Sequence, residues 1–298
     1  MKKILVMIIL CALLCSLGCA ARESADDPGL RIVATAFPEY DFARAVTGDL
    51  ANLHMLLAPG ASAHSYDPTP ADILRIRDAD LFLYTGGEYD VWVENLIGEL
   101  DVVTLCMADY VSPLLEEGGE EGEYDPHIWT SPKNALLLLD AICEAICALD
   151  PDNAEIYWEN ADRYRQKLTA IDRELTDLVA SAPRNKIVVA DRFPFLYLAN
   201  DYNLHYEAAF AGCSDQADAS ARTFARLVQA VENERLPYVY YVELSGQRVA
   251  DAVAEQTGCG TLLLHSCHNV TRDDFVRGVT YADLMKQNLI HLRRGLYE

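Results

Sequence analysis

Basic residues are scarce in this chain. Of 298 residues only 24 are Lys or Arg against 46 Asp or Glu, a formal charge of -22. So few cations cannot neutralise a run of phosphates or hold an anionic bilayer face, which excludes nucleic acid as the main partner. A cationic ligand suits the balance, although an acidic surface also simply keeps a protein soluble. The chain also lacks a CxxC pair, an HExxH helix and a G-x-S-x-G elbow, so the common motifs of dithiol redox centres, zinc hydrolases and serine hydrolases are absent. The apolar run Ile4 to Leu14 is too short to span a bilayer comfortably. Histidine is sparse as well, with seven in all.

The N-terminus does carry an address. Lys2 and Lys3, the apolar run and "LCSLGC" ending at Cys19 form a secretory signal, and its end resembles the bacterial lipobox. Residues 1–18 are therefore expected to be a signal peptide, Cys19 to carry lipid, and the small polar residues 19–29 to be a tether. Six cysteines follow: Cys106, Cys143, Cys147, Cys213, Cys259 and Cys267. An oxidising compartment invites disulfides, but spacing leaves many connectivities open. Cys143 and Cys147 fall i,i+4 in the apolar "NALLLLDAICEAICALD" and read as packed core thiols.

Short apolar runs alternate with helix-length segments. "RIVATAF", "NLHMLLA", "LFLYTG" and "VVTLCM" precede residue 110; "KIVVAD", "LHYEAAF", "YVYYVEL" and "TLLLHS" follow residue 185. This alternation predicts an α/β fold of two lobes, each a mostly parallel sheet flanked by helices. The lobes are expected at residues 30–150 and 183–298. Between them, Ile156, Tyr157, Tyr164, Leu168, Ile171, Leu175 and Leu178 recur at helical spacing, predicting a rigid amphipathic helix over 151–182 that joins the lobes as a strut. Ser131 before Pro132, and Thr69 with Asp72 three residues on, mark two helix starts. The acidic stretch 116–125 is either a solvated loop or an electrostatic funnel for cations.

Four metal-ligating side chains sit near strand-to-helix loops: His64 in "PGASAHSYDPTP", His127 in "YDPHIWTSP", Asp191 after "KIVVA" and His265 after "TLLL". Loops at the carboxyl ends of parallel strands are where open α/β sheets bind ligands. Asp191 alone would read as a helix N-cap; beside three histidines it reads as a ligand. His54 and His205 fall inside strands and His291 near the last helix C-terminus, where a cation suits the dipole. His268, three residues past His265, is a reserve ligand or a supporting residue.

Taken together, these segments resemble the zinc- and manganese-specific solute-binding lipoproteins of ABC transporters. "PGASAHSYDPTPADILRIRDADLFLYTGGEYDVWVENL", "DPHIWTSPKNA" and "YADLMKQNLIHLRRGL" match three family motifs in the right order, and the likeness covers nearly everything after residue 30. It implies a metal site in the cleft between lobes, built from His64, His127, Asp191 and His265, and delivery of the ion to an ABC-type permease by a monomeric protein anchored through Cys19. In that family the third ligand is usually His or Glu and the fourth Asp, so Asp191 and His265 look like a reciprocal exchange. Three imidazoles and one carboxylate favour zinc over manganese or iron. Glu243, ending "YVYYVEL", is expected to orient a ligand imidazole.

Cys213 and Cys267 both follow second-lobe strands on one rim and are expected to form a disulfide. Cys259 cannot reach Cys267, since about six extended residues separate their ends by roughly 20 Å. The alternatives are an extracytoplasmic metallohydrolase, which needs an open coordination position, and a metal store or adhesin, a role sometimes ascribed to such lipoproteins.

Overall fold

The computed structural model describes residues 29–62, 66–87, 90–98, 101–116, 124–212 and 219–298. The signal peptide, Cys19, His64, Cys213 and residues 117–123 of the acidic stretch lie outside the described residues.

In the first lobe β1 (Leu30–Ala34), α1 (Phe37–Thr47), β2 (Ala51–Met55), α2 (Pro70–Arg77), β3 (Leu81–Tyr84), α3 (Val91–Ile97) and β4 (Val103–Cys106) alternate. Then come α4 (Pro132–Leu149) and α5 (Ala154–Ser181). The second lobe repeats the plan with β5 (Lys186–Val189), α6 (Leu196–Asp201), β6 (His205–Ala208), α7 (Ala221–Glu234), β7 (Tyr238–Tyr241), α8 (Arg248–Thr257), β8 (Gly260–Leu263), α9 (Arg272–Val276) and α10 (Tyr281–Tyr297).

The two sheets have orders β2-β1-β3-β4 and β6-β5-β7-β8, and every pairing is parallel. Each apolar run quoted above overlaps one of these strands, to within a residue at its start. The continuous apolarity of Leu81, Phe82 and Leu83, all fully buried, is what helices on both faces of a parallel sheet require. Each sheet reverses direction of growth between its two central strands, which puts a crevice at the carboxyl ends of β5 and β7.

Both helix starts read from sequence are present. Thr69 and Asp72 form a reciprocal capping box, and the Ser131 hydroxyl accepts from the Lys133 amide ahead of Pro132. The long helix α5 has 28 residues, about 42 Å at the standard rise. Its apolar stripe, from Tyr157 through Leu168 to Leu178, is buried in a core that also takes in Ile142, Phe42 and Leu292. The helix is thus more than a strut, because one face forms the floor shared by both lobes. Truncating a residue such as Leu168 there should cost about 2–5 kcal/mol.

Asp41 on α1 ties the same junction together. Its buried carboxylate accepts from the Tyr164 hydroxyl at 2.6 Å and the Tyr281 amide at 2.7 Å, and pairs with Arg44. α10 lies close on the second sheet because residue 295 is glycine: a Cβ there would stand 2.0 Å from the Tyr240 hydroxyl oxygen. Among the described residues no helix is long and apolar enough to cross a membrane.

Candidate metal site

Where the lobes meet, a cavity of about 80 Å³ is walled by His127 from the first lobe and by Glu243, Ser266, His268 and Asn269 from the second. The two imidazole rings stand edge to face with centroids 5.5 Å apart. His127 is only 2 % exposed. The buried carboxylate of Asp125 accepts from its amide at 2.8 Å and lies 2.7 Å from Nδ1. An ionised carboxylate can only accept, so Nδ1 carries the proton and Nε2 the lone pair. A carboxylate behind an imidazole in this way fixes the tautomer and raises the basicity of a metal-binding nitrogen.

His268 is set by the turn that follows β8. The Ser266 hydroxyl accepts from the His268 amide at 3.2 Å and itself donates to Glu243, whose other oxygen accepts from the Ser266 amide at 2.8 Å. Glu243 therefore braces the loop that carries His268 through Ser266. Asn288 on α10 holds the loop from below, accepting from the His265 amide and donating to its carbonyl, both at 2.7 Å. Cys267 adopts a left-handed φ of 61° at the tightest point, a strained geometry for a residue with a side chain.

Contacts across the cleft hold the two halves of the site in register. Trp129, two residues after His127, donates its indole N–H to the Ser266 carbonyl at 2.8 Å. Its ring lies 5.5 Å from His127 and 5.0 Å from His268. Asn269 donates to the carbonyls of Ala58 at 2.9 Å and Ala61 at 2.8 Å, and the Val270 carbonyl accepts from Gly60. These bonds tie the second lobe to the loop that leads to His64.

The other expected ligands are placed differently. His265 is buried and does not line the cavity among the residues that wall it. Its Nδ1 accepts from the Cys267 amide at 3.0 Å, so the 3.6 Å approach of Glu243 to that nitrogen has no proton to share. Asp191 lies one residue from Arg192, which does line the cavity, and itself borders an adjoining one. Its two oxygens accept from the Arg192 amide at 2.8 Å and the Val242 amide at 3.2 Å, leaving lone pairs on each. Among the described residues no cluster of three or more His, Cys, Asp or Glu that could hold a metal occurs.

The expected disulfide does not reach Cys267. Its thiol is free, fully buried in the core, and directed to the His265 carbonyl at 3.7 Å. Burial pushes that thiol well above its ordinary ionisation range. Asp125, Trp129, Ser266 and Asn288 carry the site's geometry yet went unread in the sequence. The Asp of "DPH" was the one available signal, since a carboxylate two residues from a ligand imidazole is well placed to hold it.

A further feature lies behind His268, where Thr85 links two buried carboxyls. Its hydroxyl donates to Glu39 and its amide to Asp90 at 2.8 Å. Burial raises both groups, and Asp90, with Glu39 adding to the effect, is pushed up to about 7.

The family model described as "Zinc-uptake complex component A periplasmic", ZnuA, matches residues 32–295. The zinc-binding lipoprotein AdcA of Streptococcus pneumoniae is 34% identical over 309 residues, covering 99% of this chain and 61% of that protein, so the chain spans about three fifths of this relative's length. The high-affinity zinc uptake system protein ZnuA of Bacillus subtilis is 31% identical, with 93% of this chain and 91% of that protein covered. Among solved structures, the Zn(II)-bound ZnuA-like domain of Streptococcus pneumoniae AdcA is 32% identical, with a TM-score of 0.77 over 91% of this chain and 100% of that one. A laminin-binding protein of Streptococcus agalactiae, 24% identical with a TM-score of 0.80 over 90% and 99% of the two chains, shares the fold.

Proposed function

The chain belongs to the ZnuA family of zinc-uptake solute-binding proteins, and from that premise we propose that it captures zinc in the cleft between its lobes and delivers it to an ABC-type permease. The observation that carries this reading is a pair of imidazoles from different lobes, buried His127 and half-buried His268, facing one cavity. Imidazole nitrogen suits zinc, whereas manganese prefers oxygen donors. His127 and His268 are the two proposed ligands that meet in the cavity. His64 joins them on its motif alone, and Asp191, with unused lone pairs beside the cavity wall, is the fourth donor. This assignment moves the second-lobe imidazole from His265 to His268 and gives His265 the task of shaping the loop.

A closed set of four protein donors leaves no position for a reactive water, which supports a binding protein over a hydrolase. That the relative AdcA is a lipoprotein supports an extracytoplasmic location with lipid on Cys19; cleavage after residue 18, a tether over 19–29 and a monomeric state rest on the sequence reading. The lobes are taken as 30–150 and 183–298 with 151–182 between them. Elemental analysis of the purified protein, with competition among zinc, manganese and iron, tests the reading. One tightly held zinc that a moderate excess of manganese does not displace is the expected result; retention of manganese or iron in its place would sink it.

A further inference from the structure

Away from the cleft, α4 carries Cys143 and Cys147 with their sulfurs 4.0 Å apart. Residues four apart share a helix face, so the backbone itself imposes this proximity. Cys143 is fully buried, Cys147 is partly exposed and both thiols are free. The Cys147 sulfur also lies 3.8 Å from the Ala154 carbonyl at the start of α5. Arg165 on α5, anchored to Asp140 of α4, favours the Cys143 thiolate, although burial pushes both thiols up.

Two sulfurs without a third strong donor restrict what the pair can hold. A structural zinc takes four ligands, and among the described residues no group of three or more His, Cys, Asp or Glu that could hold a metal is present. Soft thiolates select copper(I) and ions like it, and such d10 ions are satisfied by two sulfurs in line. A bis-thiolate of this kind sets its sulfurs only slightly farther apart than they now stand, a change that small side-chain rotations supply.

We propose that Cys143 and Cys147 form a two-coordinate site for a soft, thiophilic cation of the copper(I) class, separate from the zinc cleft. Two S–H bonds break, two S–Cu bonds form and two protons pass to solvent, with no change of oxidation state. The resulting unit carries one negative charge, with the Arg165 guanidinium, itself paired to Asp140 and Asp162, as the nearby cation that favours it. Because burial opposes ionisation of both thiols, only an ion with strong bonds to sulfur displaces their protons, and a borderline ion such as zinc does not.

Anaerobic titration of the full chain with copper(I) held as its bicinchoninate complex tests this. The wild type should withdraw one more copper(I) equivalent than Cys147→Ser or Cys143→Ser, and that equivalent should weaken on acidification. Cys147 is partly exposed, so Cys147→Ser keeps the test open if Cys143→Ser fails to fold. Zinc uptake should be unchanged in Cys147→Ser. Equal copper(I) uptake by the wild type and a folded Cys147→Ser would overturn the proposal, as would copper(I) uptake only at the expense of bound zinc.

Discussion

Trp129 of the first lobe donates its indole N–H to the carbonyl of Ser266 in the second at 2.8 Å, and the same ring packs on both cavity imidazoles. One side chain thus bridges the lobes and packs between the two histidines, alongside the Asn269 and Gly60 bonds across the cleft. Trp129→Phe keeps an aromatic wedge but leaves a buried carbonyl without this donor, which costs about 1–3 kcal/mol. Its melting temperature should fall and its zinc affinity should drop about tenfold. Competition titration and a thermal melt check this, and an unchanged affinity would show that the wedge alone sets the spacing.

Asp125 fixes the His127 tautomer because its carboxylate accepts from Nδ1–H. Asp125→Asn keeps the shape and can place its carbonyl oxygen at the same point, but without the charge that raises imidazole basicity. Loss of such an outer partner typically lowers metal affinity about 10–100-fold. Zinc competition should show a fall in that range with the fold intact by circular dichroism.

The buried carboxyls Glu39 and Asp90 make stability depend on pH. Both are raised in the folded protein, Asp90 to about 7, so between about pH 4 and pH 7 the folded state binds more protons than the unfolded one. Their contribution is fullest below the unfolded value and declines as pH rises through the folded one. Glu39→Gln removes one ionisation and relieves Asp90 of its neighbour. The decline in denaturant midpoint from pH 5 to pH 7.5 should be smaller in this variant than in the wild type; parallel curves would contradict the assignment.

Much of this was legible in sequence, for physical reasons that also mark where it stopped. Central strands were readable because parallel strands covered on both faces must be continuously apolar, as Leu81, Phe82 and Leu83 are; edge strands such as β6, more exposed and polar, were readable from their alternation with helix-length segments. The caps at Thr69 and Ser131 were readable because they are local. His265 and His268 could not be separated, because the end of a strand tells nothing about a three-residue turn that Cys267 closes with positive φ and Asn288 clamps from a distant helix. The expected Cys213–Cys267 bridge failed on the same turn, which directs the Cys267 sulfur into the core. Trp129 stands inside a quoted motif without a role of its own, and its bond to Ser266 spans 137 residues, beyond the reach of periodicity.

The assignment of the second-lobe ligand is tested most directly by zinc competition titrations of His268→Ala and His265→Ala side by side. His268→Ala should lose on the order of 100-fold or more in affinity, beyond the usual effect of an outer partner, and keep its apo stability. His265→Ala leaves the buried Cys267 amide without an acceptor, so it should lose about 1–3 kcal/mol of stability and much less affinity. Wild-type affinity in His268→Ala, together with a collapse of affinity in a folded His265→Ala, would contradict the account and return His265 to the metal.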